Sequence, residues 1–248
     1  MRAVTGFFTA LQFLTVAPPL IRRQLAAEDL AASRAFFPLV GLLIGLLLAG
    51  IDAGLRLVLP LLAVDAILVV SLLVVTGALH MDGLMDACDG VFASGGPERR
   101  LAIMRDPHAG SFAVAGALSV LLLKLAALHG LPEGSRLAGL AVMPALSRWA
   151  MVIGIALFPY ARHEGKGAPF QHRAPLLHLL LATIITAAIA GGFLGWRGLI
   201  VMAIVGGIAW LMGRYFLGRL GGLTGDTYGA INEATEVVAM LGVVAFVG

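Results

Sequence analysis

Charge is what this chain has least of. Asp, Glu, Lys and Arg make up 12% of its 248 residues, about half the share expected of a soluble domain. With 60% of residues hydrophobic and a mean hydropathy of +0.97, too little polar surface remains to cover a water-soluble globule. Cysteine is almost absent. The single thiol, Cys88, excludes an internal disulfide and leaves the redox compartment open. A concentrated basic patch is missing too: the net charge of +3 is spread between apolar runs, which favours membrane topology over nucleic acid as its cause. No internal repeat, low-complexity tract or break in composition divides the chain, so residues 1–248 read as one integral-membrane domain. The basic, apolar N-terminus lacks a small-residue cleavage site before Pro18.

What is present is apolar and long. Runs of about 18 to 25 apolar residues can each cross a bilayer as helix. Seven candidate spans fall near residues 36–59, 61–80, 112–131, 137–158, 176–195, 198–217 and 231–248. The expected fold is all-α: a polytopic transmembrane bundle of about seven spans, preceded by a short interfacial or half-spanning helix that Pro18 and Pro19 end. The abundant glycines, 32 in all, suit close packing of helices in lipid. Twelve of the 17 Lys and Arg lie on one set of alternate connectors; the opposite set holds only Arg56, Arg136 and Arg197. By the positive-inside rule the richer set, with 81–111, 159–175 and 214–230, faces the cytoplasm.

The chemistry concentrates on that side. In HMDGLMDACDG, Asp82, Asp86 and Asp89 are four and three residues apart, within about 60° around a helix. Three carboxylates on one face repel each other and call for a cation; a hard divalent ion such as Mg²⁺ takes oxygen ligands of this kind. His80 stands two residues before Asp82, placed to orient a ligand or act as a base. A second acidic cluster, Asp226, Glu233 and Glu236, shares a broad helical face at the cytoplasmic end of the last span. Arg99, Arg100, Arg105 and Asp106 follow the first cluster among glycines, an arrangement suited to clamping a phosphate or pyrophosphate. Arg162 and Lys166 suit the same contact. Arg148 falls mid-span and should pair with a carboxylate or a phosphate, whereas Lys124, nearer a span end, is expected to snorkel.

Four blocks in order, HMDGLMDACDG, RRLAIMRDPHAG, PYARHEGKG and GGLTGDTYGAINEATE, resemble the cobalamin synthase family, the adenosylcobinamide-GDP ribazoletransferases; FFPLVGLLIG and FLT near the N-terminus look like that family as well. Val16 and Ala113 depart from its pattern, where a basic residue and a glycine are common. The resemblance implies a Mg²⁺-dependent transferase of the bacterial inner membrane in cobalamin biosynthesis. It would join adenosylcobinamide-GDP to α-ribazole, or its 5′-phosphate, and release GMP. Carried onto these residues, Asp82, Asp86, Asp89 and Asp226 would bind the metal. Asp226, Glu233 or Glu236 would complete the coordination or take the acceptor's proton, and Arg105 with Arg99 or Arg100 would steady the departing GMP. Two rival readings remain at this level: a phosphotransferase of CDP-activated lipids, whose own aspartate pattern is absent, and a metal-ion transporter, whose acids belong at the bilayer midplane.

Overall fold

The computed structural model describes residues 2–21, 24–162, 170 and 175–247. Among these the chain is helical, with no strand. The helices are α1 (Arg2–Leu14), α2 (Ala27–Ser33), α3 (Phe37–Leu55), α4 (Leu61–Val75), α5 (Leu79–Phe92), α6 (Pro97–Ile103), α7 (Ser111–His129), α8 (Glu133–Leu157), α9 (Pro175–Leu220) and α10 (Gly225–Val247). Five are long and apolar enough to cross a membrane, and α4 with α5 makes a sixth span bent by 89°. The longest, α9, is two arms. Gly195 has φ 60° and ψ −148°, and Gly198 lies against the carbonyl of Ala190. Residues eight apart on a straight helix stand about 12 Å apart, so the chain reverses here and crosses twice. Counting its two arms separately and the bent α4–α5 pair as one span brings the total to the expected figure of about seven, and α1 is the short N-terminal helix.

Helix α8 occupies the middle and is enclosed along nearly its whole length, whereas α7 and α9 turn mostly apolar, exposed faces outward, as helices do against lipid. Close crossings set the architecture. Gly41 and Gly45, one turn apart on α3, meet α8 where Pro144 lies inside that helix. A Cβ on either glycine would stand 2.7 Å from a backbone Cα, of Ala145 or Ala141, so only glycine admits this approach.

The bend between α4 and α5 has a local cause. Gly77 (φ 59°) and Ala78 (φ 55°) are both left-handed, and Val75 accepts a hydrogen bond from the backbone N–H of Val16 at 2.9 Å. For Ala78 this conformation costs about 1–2 kcal/mol. Its effect is to swing α5 off the line of α4 and onto α10.

At the far end of the bundle Arg136 of α8 donates to Asp52 of α3 at 2.7 Å and to Asp65 of α4, while His129 sits 2.9 Å from Asp65. Four helices are thus tied at the end away from the acidic blocks. Lone acids at separate span ends left no sequence signal for this network.

Candidate active site

Helices α5 and α10 cross at two glycines. A Cβ on Gly83 would come within 2.9 Å of the Asp226 carbonyl oxygen, and one on Gly229 within 2.8 Å of the His80 carbonyl oxygen. This crossing sets Asp82 and Asp86 beside Asp226. Helix α10 starts where it does because Thr224 and Thr227 cap reciprocally: the Thr224 N–H donates to Thr227 Oγ1 at 2.8 Å, and the Thr227 N–H to Thr224 Oγ1 at 3.2 Å. Asp226 in the first turn suits the positive end of the helix dipole. Beside it, the 159–161 and 221–223 segments pair through Ala161 N–H to Leu223 (2.7 Å) and Leu223 N–H to Pro159 (2.8 Å). Arg162 is held at the end of this pairing, 2.9 Å from Asp226.

Two cavities meet here. An inner one of about 270 Å³ is lined by Asp82, Asp86, Asp226 and Arg162 together with His80 and a largely aromatic wall. An outer one of about 500 Å³ is lined by Asp82, Asp86, Arg105 and Asp106. Asp82 and Asp86 border both. Asp82 is exposed and Asp86 half-buried, as expected of groups left free for a ligand. Asp106 accepts from the backbone N–H of His108 (2.9 Å) and lies 2.7 Å from its ring, and these contacts hold the Asp106 carboxyl below its usual range.

The remaining sequence candidates lie elsewhere. Asp89, seven residues and about 10 Å along the helix from Asp82, borders neither cavity. It accepts from Gly110 N–H (2.6 Å) and Ala113 N–H (2.9 Å) and so caps the N-terminus of α7. These bonds use the backbone, which explains why alanine at 113 is harmless to them. Arg100 is buried with its guanidinium on the carbonyls of Gly95 (3.0 Å) and Val91, where it ends α5; Arg99 is exposed. Lys166 lies outside the described residues.

The second acidic cluster divides by depth. Glu233 and Glu236 are two and three turns further into the bundle than Asp226, and both are buried. Lys124 of α7 donates to Glu233 at 2.6 Å and also to Glu236; Arg148 of α8 pairs with Glu236. Lys124 therefore does not snorkel. It is 1% exposed and ties α7 to α10, while Arg148 has found the carboxylate expected of it. Removing either partner would strand a buried charge. Between this cluster and the inner cavity lies His80, 2% exposed, and neither ring nitrogen has a partner among the described residues. No group of three acids, histidines or cysteines among those residues converges into a closed metal cage.

Sequence reasoning overlooked Gly83 and Gly229 as the reason the acids meet. It also overlooked the cavity wall of Phe13, Phe37, Met151, Ile155, Phe170 and Tyr228. Gly83, Tyr228 and Gly229, and Phe13 and Phe37 as well, stood inside quoted blocks, but spacing assigned none of them to a crossing or a wall, and apolar wall residues look the same as core in a chain this hydrophobic.

The pattern of the family described as cobalamin-5-phosphate synthase matches residues 6–244. An adenosylcobinamide-GDP ribazoletransferase of Geotalea daltonii is 39% identical over 242 residues, 98% of this chain and 98% of the relative. One from Desulforamulus reducens is 39% identical over 92% of this chain and 91% of its own length. One from Pseudomonas paraeruginosa is 40% identical over 96% and 97%. No solved structure matches.

Proposed function

The chain belongs to the cobalamin-5-phosphate synthase family, and from that premise we propose how its residues divide the work of an adenosylcobinamide-GDP ribazoletransferase. The activity is a transfer at phosphorus. A hydroxyl of the ribazole-type acceptor attacks the phosphate joined to cobinamide, the bond to the GMP phosphate breaks, and GMP leaves with that bond's electrons. The same family membership sets aside the CDP-lipid phosphotransferase and the metal transporter.

Such a displacement needs charge neutralisation and in-line placement more than covalent help. Asp82 and Asp86, one turn apart with oxygen-only donors, fit Mg²⁺, which takes one or two carboxylates and fills its remaining positions with water and substrate phosphate. A closed cage of three side chains is not needed for this ion. When bound, Mg²⁺ would neutralise the pyrophosphate and the charge developing on the leaving phosphate. Arg105, on the outer groove, would hold the departing GMP. Of the three candidate acids, Asp226 alone borders either of these cavities, so its carboxylate would take the proton of the attacking hydroxyl, with Arg162 fixing its orientation. Glu233 and Glu236, paired with Lys124 and Arg148, would position α10 against α7 and α8.

The observation that carries this reading is the glycine crossing that puts two carboxylates of α5 in the wall shared by both cavities, next to Asp226. The setting we propose is a bacterial inner membrane with this end of the bundle toward the cytoplasm, an orientation that the Lys and Arg bias supports. The test is GMP release by membranes given adenosylcobinamide-GDP and α-ribazole, with and without Mg²⁺. Release that persists at full rate in a chelator would refute the metal assignment, and no release under any condition would refute the activity.

A further inference from the structure

The inner cavity is lined in two chemically different ways. One part of its lining is the charged group Asp82, Asp86, Asp226 and Arg162, of which Asp82 and Asp86 also border the outer groove; in another, Phe13, Phe37 and Phe170 form a cluster with ring centroids 4.5–6.1 Å apart. Tyr160 and Tyr228, 6.3 Å apart, add two more rings, and Met151 and Ile155 complete the apolar wall. Resting on the activity proposed above, we infer that this cavity is the acceptor subsite. It takes the aryl base of the nucleoside among the aromatic rings, with His80 hydrogen-bonded to the base and the ribose 5′-oxygen left at the carboxylates. The corrinoid donor stays in the outer groove.

Size and polarity carry the assignment. About 270 Å³ is at the small end of ligand cavities and suits a fused bicyclic base with a pentose. A corrin macrocycle bearing a nucleotide far exceeds it. The donor's guanine would fit by size, but its exocyclic amine, ring N–H and carbonyl would be buried against phenyl and alkyl groups, and unpaired polar atoms are costly there. A benzimidazole-type base presents a single ring nitrogen as acceptor. The neutral His80 imidazole carries one N–H donor, so the pairing is one to one and recovers a hydrogen bond that His80 lacks.

The test is equilibrium binding to the full chain in nanodiscs, without Mg²⁺, using α-ribazole and GDP as separate probes. Against the wild type, free 5,6-dimethylbenzimidazole should displace α-ribazole and leave GDP bound. Met151→Trp, which fills the cavity, should weaken α-ribazole by about tenfold or more and leave GDP within about twofold. His80→Leu should cut the wild type's preference for the benzimidazole over the indole riboside, which has the same shape and no acceptor nitrogen, from about tenfold to near unity. If the free base displaces GDP, or displaces neither probe, the assignment is overturned whatever the variants do. Met151→Trp weakening GDP while sparing α-ribazole would make this the guanine site, and an unchanged preference in His80→Leu would remove His80 from recognition. Wild-type GMP release is measured alongside: if it is normal while the binding results go the wrong way, the subsite fails and the activity stands; if it is absent, the activity fails.

Discussion

Adding one methyl group at Gly229 should slow the enzyme sharply without unfolding it. A Cβ there would stand 2.8 Å from the His80 carbonyl oxygen, about 0.6 Å inside the 3.4 Å at which ordinary contact begins. The obstacle is helix backbone and cannot rotate away, so α5 and α10 must move apart. Overpacking of this kind costs about 1–3 kcal/mol. The bundle retains the Lys124–Glu233–Glu236–Arg148 cluster and the α3–α8 crossing, so Gly229→Ala should still insert and purify, with a modest fall in thermal midpoint. Activity should suffer more. Asp82 and Asp86 ride on α5 and Asp226 on α10, so separation alters the distance between the groups proposed to bind the metal and to accept the proton. A misplacement near 1 Å can cost about a hundredfold in rate; for a shift of roughly half that, a loss of about tenfold in kcat is expected. The assay is steady-state GMP release from reconstituted protein, beside Gly192→Ala, where an added Cβ meets nothing within 4 Å and the rate should hold. Full activity in Gly229→Ala would refute the claim that this crossing assembles the site.

Gly83→Ala, whose Cβ would meet Asp226 backbone at 2.9 Å, should behave like Gly229→Ala in the same assay. Lys124→Met leaves two carboxylates buried together and should destabilise the protein by about 3–5 kcal/mol, seen as poor recovery or an early thermal transition in detergent. Adding Glu233→Gln should recover part of that loss; no recovery would mean the pair is not coupled. Gly45→Val should break the α3–α8 contact and lower the thermal midpoint far more than Gly54→Val, whose position is open.

The membrane bundle was legible because scarcity of charge and span-length apolar runs are properties of composition, and the two sets of connectors do gather at opposite ends: Arg56 meets Glu133 at one, Arg162 meets Asp226 at the other. Boundaries slipped where acids fell inside a helix. The last span was placed from 231, yet α10 begins at Gly225, because two glycines and Asp226, whose charge is met by Arg162 from the 159–162 segment, make its first turns read as a connector. Angular position around a helix was readable from spacing, whereas depth was not used: Asp226, Glu233 and Glu236 share a face but are spread over about 15 Å of axis, and only the first reaches a cavity. Asp89 shows the same limit, since its partner Gly110 is 21 residues away and attaches through backbone. The glycine crossing could not be read at all, because in a chain with 32 glycines nothing local marks the two at which α5 and α10 meet.

The central claim is that Asp82 and Asp86 hold the metal at the pyrophosphate. It is tested most directly by the Mg²⁺ dependence of GMP release in wild type and Asp86→Asn, a substitution that keeps size and removes the charge. The account predicts that Asp86→Asn loses at least about a thousandfold in rate at ordinary Mg²⁺ and regains part of it only at much higher concentration. A variant with the wild-type rate and the wild-type Mg²⁺ midpoint would contradict it.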